Sequence, residues 1–333
     1  MDNTMDNTVS PTISLPLINS IPSHLAPRFE PTYVEYYNKY SAGRLATHQV
    51  PIESYRANPA QYTISYGRAL VPQGALTITQ QQCPVSSPPG NITVQIFEPD
   101  AKKWGEGKKP VLAPEEKFPT QVEDCWEALN WIHTHKASEF NLDVSRIAIG
   151  GCSAGGHLAA ILAHLCRDTS LPLKFQLLSV PVVDLSIFSP SSGSLLPTNP
   201  YPSYDEFALC PPLPLERMSY FFKHFLGSKT QNQNQIEGFD SKFGKGGEEE
   251  WKVSPIKAKN WKGLADALVV TAECDVLRDE GEAYAKLLEK GGNKVRVERV
   301  KGAPHVFMQL DGILEAGRVY NRAVVEALRE ALR

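Results

Sequence analysis

The stretch that most constrains this chain is Arg146-Ile147-Ala148-Ile149-Gly150-Gly151-Cys152-Ser153-Ala154-Gly155-Gly156-His157-Leu158-Ala159-Ala160. A short apolar run feeds a Gly-x-Ser-x-Gly and opens into an alanine-rich helix, which is the shape of a nucleophile elbow. Glycines at 151 and 155 are expected because a serine on so sharp a strand-to-helix turn has a strained backbone, and a Cβ two residues to either side would crowd it. The turn lifts the Ser153 hydroxyl into the open. It also points the first amides of the following helix, chiefly the Ala154 N–H, at the place where negative charge develops during attack on a carbonyl.

Length and composition fit one large single-core enzyme: 333 residues, 42% hydrophobic and 21% charged, with a formal net charge of −3. A nearly neutral chain with scattered lysines and arginines lacks the basic footprint of nucleic-acid binding. No run reaches the apolar length of a membrane span. The polar start Met1-Asp2-Asn3-Thr4 has neither the basic nor the apolar part of a signal peptide, so a cytoplasmic protein is expected. The cysteines at 83, 125, 152, 166, 210 and 274 form no Cys-x-x-Cys, so free thiols are expected and no metal site.

From Ile92 onward strands and helices alternate. Strands are predicted at Ile92 to Phe97, Arg146 to Gly150, Phe175 to Val180, Ala267 to Thr271 and Val295 to Val300. Helices are predicted at Val122 to His135, Gly156 to Cys166, Asp279 to Lys290 and Ile313 to Leu332. Such alternation means an α/β fold, a mostly parallel sheet flanked by helices. Residues 1–75 read as an N-terminal extension belonging to the cap. Within it Tyr33, Tyr36, Tyr37 and Tyr40 form an aromatic stripe on one helical face, suited to packing or to lining a pocket. The core is expected at 76–184 and 262–333. Between its two parts, 185–261 is proline- and serine-rich with one helix near Leu215 to Phe225 and a polar, mobile stretch at 231–250; it reads as an inserted cap.

A serine needs a base to take its proton, and the base needs an anion to hold its tautomer. Asp275 follows the strand ending Val269-Val270-Thr271, at the carboxyl edge where α/β sheets form their sites. His305 follows the next strand in Lys301-Gly302-Ala303-Pro304-His305-Val306-Phe307. The order Ser153, Asp275, His305 is that of an α/β hydrolase. Asp279 is the alternative acid, although Asp279 and Glu280 suit the first turn of the next helix. His157, one turn past the serine, reads as a structural or pocket residue, and the Cys152 side chain should point away from Ser153.

These blocks resemble the catalytic blocks of the hormone-sensitive-lipase-like esterases of the α/β-hydrolase superfamily: Gly151-Cys152-Ser153-Ala154-Gly155-Gly156, Asp275-Val276-Leu277-Arg278-Asp279-Glu280-Gly281 and His305-Val306-Phe307. Leu112-Ala113-Pro114-Glu115 with Val122-Glu123-Asp124 resembles the family's turn and helix before the elbow strand. The resemblance implies hydrolysis of a small-molecule carboxylic ester through an acyl-serine, lipase-like, with no cofactor. The prolines and aromatics of the cap suit an apolar acyl or aryl ester.

One departure is large. Members of this family carry a His-Gly-Gly-Gly segment whose backbone N–H groups complete the oxyanion hole. This chain runs from Ile96-Phe97-Glu98-Pro99 through Lys109-Pro110-Val111 directly into Leu112-Ala113. By typical element lengths roughly 35 residues, including central elements of the sheet, are expected to be missing between Val111 and Leu112. The alternative reading is therefore a catalytically impaired or ligand-binding hydrolase-like protein; the resemblance includes a plant hormone receptor, from which the presence of His305 separates this chain.

Overall fold

The computed structural model describes residues 18–62, 76–86, 89–99, 118–140, 142–226 and 242–333. Its most buried strand is β5 (Asp266–Cys274), in which Ala267 to Ala272 are all buried. An apolar run without alternation is what a parallel strand needs when helices cover both faces. The other strands are β1 (Leu76–Ser86), β2 (Pro89–Pro99), β3 (Ala148–Cys152), β4 (Phe175–Ser179) and β6 (Val295–Pro304). Strands β3 to β6 form a parallel sheet in the order β3-β4-β5-β6. Strands β1 and β2 form a separate antiparallel hairpin in which Cys83 pairs with Ile92.

The two faces of β5 enter different layers. Val269 packs with Ala159, Ala160 and Ala163 of α5 (Ala154–Thr169) and with Tyr284, Ala285 and Leu288 of α9 (Arg278–Lys290). The alanines keep α5 close to the sheet. Leu268 and Val270 face the opposite layer, which holds Phe307, Leu314, Ala316 and Ala327, the last two on α10 (Glu315–Ala331). Helix α4 (Thr120–Trp131) covers the hairpin, with Ala128 against Cys83 and Val94.

The N-terminal segment is helical and tied to the core. Helix α1 (Pro31–Tyr40) starts with Pro at its first position, where the missing N–H costs nothing. Tyr33 and Tyr37 are buried, Tyr36 is partly covered and Tyr40 is exposed, so half of the aromatic stripe is core. The Tyr33 hydroxyl donates to the Pro211 carbonyl (3.1 Å). Glu30 accepts from the N–H groups of Glu315 (3.2 Å) and Ala316 (3.3 Å), capping α10 from a segment 285 residues away. Short helices α2 (Ile52–Ala57) and α3 (Pro59–Tyr62) follow.

Between β4 and β5 lie α6 (Ser203–Glu206), α7 (Leu215–Leu226) and α8 (Glu250–Val253). Phe207, just past α6, is fully buried with two guanidiniums near its ring, Arg28 at 5.2 Å and Arg278 at 5.1 Å from the ring centre. Glu206 bridges both arginines at 2.6 Å and 3.0 Å. One aromatic ring and one carboxylate thus join the N-terminal segment, the segment between β4 and β5, and α9.

The predicted helices and parallel strands are present with boundaries moved by a few residues. The turn of helix after α4, Ile132–Lys136, is wider than an α-helix. Strand β1 was not legible, because Gln80, Gln81, Gln82 and Pro84 hide the alternation of a strand. Of the polar stretch at 231–250, residues 231–241 lie outside the described residues. The remainder forms a turn in which the Glu249 N–H donates to the Lys242 carbonyl (2.8 Å). The junction of Val111 and Leu112 also lies outside the described residues.

Replacing Phe207 by Ala removes a fully buried ring and its contact with both arginines and should lower unfolding stability by about 3–5 kcal/mol in urea titration. Leu209→Ala, at a side chain 65% exposed, should change it by less than about 0.5 kcal/mol.

Candidate active site

Ser153 sits at φ 57°, ψ −114° between β3 and α5, a conformation that costs a non-glycine residue on the order of 1–3 kcal/mol. The surroundings over-determine it. Its N–H donates to the Ser179 carbonyl (2.8 Å), and its carbonyl accepts from the N–H groups of His157 (3.0 Å) and Val182 (3.4 Å). A Cβ on Gly151 would lie 2.1 Å from the Gly155 carbonyl carbon, and one on Gly156 would lie 2.9 Å from the Pro181 Cβ. A Cβ on Gly155 would meet nothing within 4 Å. The elbow therefore needs glycine at 151 and 156, whereas crowding does not require it at 155.

The loops after β5 and β6 meet above this turn. Pairing of Cys274 with Pro304 across a bulge brings the two strand ends side by side. His305 Nε2 lies 3.0 Å from the Ser153 Oγ, and His305 Nδ1 lies 2.7 Å from an Asp275 oxygen. Asp275 is 1% exposed and its other oxygen accepts the Leu277 N–H (3.1 Å). A carboxylate only accepts, so the shared proton is on Nδ1 and Nε2 is left with its lone pair towards Ser153. Val306, at φ 53°, turns the chain sharply after the imidazole.

The competing residues are elsewhere. Asp279 accepts from the Ser203 N–H (2.7 Å) and pairs with Arg278 (2.7 Å), which commits it to the segment between β4 and β5. His157 is buried with Nδ1 3.2 Å from the Val182 carbonyl, and burial pushes its pKa down to about 4. Cys152 turns away from the serine, its Sγ 3.6 Å from the Met308 Sδ. Burial, with Asp275 adding, pushes its thiol up to about 12, so it holds its proton and is a poor nucleophile. Ala154 is the first residue of α5 and its N–H has no acceptor in a preceding turn. Among the described residues no three His, Cys, Asp or Glu side chains cluster as a metal site, and no helix is long and apolar enough to cross a membrane.

Ser153 and His305 open into a cavity of about 570 Å³. Its walls come from the N-terminal segment, with Tyr37 and His48, and from the segment between β4 and β5, with Leu209, Leu213 and Phe221. Tyr37 thus combines packing with pocket lining. Sequence patterning offered no signal for His48, whose imidazole is 4% exposed and is pushed below the usual histidine range by burial.

Glu280 stands in the first turn of α9, as its place in the sequence suggests. It is fully buried. One of its oxygens accepts the Val183 N–H (2.7 Å) and, at longer range, the Asp184 N–H (3.4 Å), while the other accepts the Tyr204 hydroxyl (2.7 Å). Burial raises its pKa to about 8, with Asp184 contributing against the hydrogen bonds.

A family profile described as the alpha/beta hydrolase fold matches residues 111–309. An AB hydrolase superfamily protein of Schizosaccharomyces pombe is 27% identical over an alignment covering 98% of this chain and 99% of its own. That alignment is 378 positions long, so at least 45 of its positions, the excess over the 333 residues here, fall where this chain has no residue. An arylesterase of Saccharolobus solfataricus is 36% identical over 59% of this chain and 55% of its own length; the chain spans about half of that relative. Among solved structures the carboxylesterase EstE1, cloned from a metagenomic library, superposes with a TM-score of 0.62 at 29% identity, over 79% of this chain and 92% of its own.

The glycine geometry separates two substitutions that sequence alone treats alike. Gly151→Ala should abolish serine reactivity towards a fluorophosphonate, since the clash is with backbone. Gly155→Ala should keep that reactivity and gain about 0.5–1 kcal/mol of stability from helix propensity, read by thermal unfolding.

Proposed function

We propose that this chain, which belongs to the α/β-hydrolase fold family, is a carboxylic ester hydrolase acting through Ser153, His305 and Asp275. The observation that carries the reading is the unbroken hydrogen-bonded line from the Asp275 carboxylate through His305 to the Ser153 hydroxyl, at the floor of a cavity. In the first half-reaction the Ser153 oxygen attacks the ester carbonyl carbon while His305 takes its proton. Asp275 holds the imidazole in the required tautomer and stabilises the imidazolium. The tetrahedral oxyanion accepts from the Ala154 N–H. Collapse expels the alcohol, protonated by His305, and leaves acyl-Ser153. Water, deprotonated by His305, then releases the acid and restores the serine.

The mouth of the cavity supports a preference for apolar acyl or aryl esters. Ile18, Leu45, Leu209 and Phe221 line it, and all four are exposed large apolar side chains. The domain reading that accompanies this function is a core at 76–184 and 262–333, a cap at 185–261 and an extension at 1–75 that completes the cap. Six cysteines without a disulfide suit a reducing compartment, which supports a cytoplasmic location.

We further infer that an internal segment is missing between Val111 and Leu112. Two observations support this. Strand β3, which carries the nucleophile, pairs only with β4 among the described residues and stays half-exposed along its length. The alignment with the fission-yeast protein, over nearly the whole of both chains, has at least 45 positions without a counterpart here. Loss of one oxyanion donor costs about 3–4 kcal/mol of transition-state stabilisation, or roughly 10²–10³ in rate.

Peptide mapping after fluorophosphonate treatment should find the label on Ser153; a label elsewhere, with Ser153 untouched, would remove the assignment. His305→Ala and Asp275→Asn should each lower kcat by about 10³-fold or more, and Asp279→Asn far less. Turnover of p-nitrophenyl acetate should be feeble, and restoring the segment from the genomic sequence should raise kcat by roughly 10² or more. Full turnover by the unmodified chain would defeat the deletion reading and leave the esterase reading standing.

A further inference from the structure

The carboxylate of Glu280 lies outside the line from Ser153 to Asp275, yet it touches both structures that shape the site. One side is the loop after β4. Pro181 of that loop is wedged between Gly156 of α5 and Gly281 of α9, where added Cβ atoms would lie 2.9 Å and 3.4 Å from its ring atoms. The next residue, Val182, donates its N–H to the Ser153 carbonyl and accepts at its own carbonyl from the His157 imidazole. The Val183 N–H then donates to Glu280 (2.7 Å). The loop is thus fastened to the elbow at one residue and to Glu280 at the next.

The other side is the inserted segment. The Tyr204 hydroxyl donates to the second Glu280 oxygen (2.7 Å), and Tyr204 is fully buried. Its neighbour Ser203 donates to the Val276 carbonyl (2.6 Å), one residue past Asp275. A few residues on, the same segment supplies Leu209 and Leu213 to the cavity wall. The Val183 and Asp184 N–H groups and the Tyr204 hydroxyl all donate to Glu280, which has an acceptor oxygen on each side.

We propose that Glu280 is a positioning residue for the hydrolysis, with one oxygen holding the loop that supports the Ser153 backbone and the other holding the segment that walls the substrate cavity. The first contact acts on the reactivity of Ser153. The second acts on substrate binding. This rests on the hydrolase reading, and the two sides can be separated by substitution.

Three variants of the full chain test it, each checked for native near-ultraviolet circular dichroism and thermal midpoint. Glu280→Leu removes both acceptors, and its rate of fluorophosphonate labelling at Ser153 should fall about 10- to 100-fold, as displacement of a reacting group by up to an ångström does. Glu280→Gln keeps an oxygen for the Val183 N–H and offers its amide to the Tyr204 oxygen, so labelling should return to within about threefold of wild type. Tyr204→Phe releases only the cavity wall; KM for p-nitrophenyl butyrate should rise about two- to tenfold while kcat and the labelling rate stay put. Wild-type labelling rates in a folded Glu280→Leu protein would overturn the inference. So would a Glu280→Gln protein as slow as Glu280→Leu, or a Tyr204→Phe protein that loses kcat at unchanged KM; if Glu280→Leu does not fold, the last two variants decide. A wild-type chain that is not labelled at Ser153 would instead defeat the hydrolase reading itself.

Discussion

The strained turn at Ser153 is the constraint on which the rest of the site depends. A non-glycine residue at φ 57° returns to an ordinary conformation unless its neighbours forbid it. Here they do so through backbone. Gly151 and Gly155 are too close for any atom to intervene, Ser153 is bonded through both N–H and carbonyl, and Pro181 is wedged against Gly156. The strain fixes the direction of one hydroxyl, and that direction is useful only because the loops after β5 and β6 converge above it.

That convergence is a property of parallel strands. Because β4, β5 and β6 run the same way, their carboxyl ends lie at one edge, and residues 120 and more apart in sequence come within hydrogen-bond distance there. The edge also collects buried acidic side chains. Asp275 is matched by the His305 N–H and the Leu277 amide, and Asp184 by the Ser186 amide and the Tyr201 hydroxyl. Glu280 is held by two amides and the Tyr204 hydroxyl. Each carboxylate is surrounded by donors on several elements, so each ties loops together as well as satisfying itself.

This explains what was legible in the sequence. The alternation of strands and helices, the elbow, and the placing of Asp275 and His305 after successive strands are local patterns, and the fold they predict is the one observed. Three things were not local. The Gln-rich strand β1 owes its state to pairing with β2 rather than to its own composition. Glu280 looked like a helix-start acid because its partners, Val183 and Tyr204, are 97 and 76 residues away. Pocket lining by His48 depends on how the N-terminal segment is pinned by Glu30, Arg28 and Tyr33, contacts that no periodicity announces.

The hydrogen bonds that hold Ser153, His305 and Asp275 together lie in one part of the sheet. Every residue in the line from Asp275 to Ser153 is carried by β3 to β6 and their loops, and the elbow is fastened to β4 through Ser179 and to the loop after it through Val182. None of these bonds uses the hairpin of β1 and β2. Further oxyanion donors in the family that this chain resembles come from a His-Gly-Gly-Gly loop, and β3 has no partner on its other side among the described residues. Loss of a segment there would leave Ser153, His305 and Asp275 in register while taking away part of the oxyanion hole of the proposed reaction. The line from Asp275 to Ser153, with the Ala154 N–H beside it, therefore rests on the half of the sheet from β3 onward.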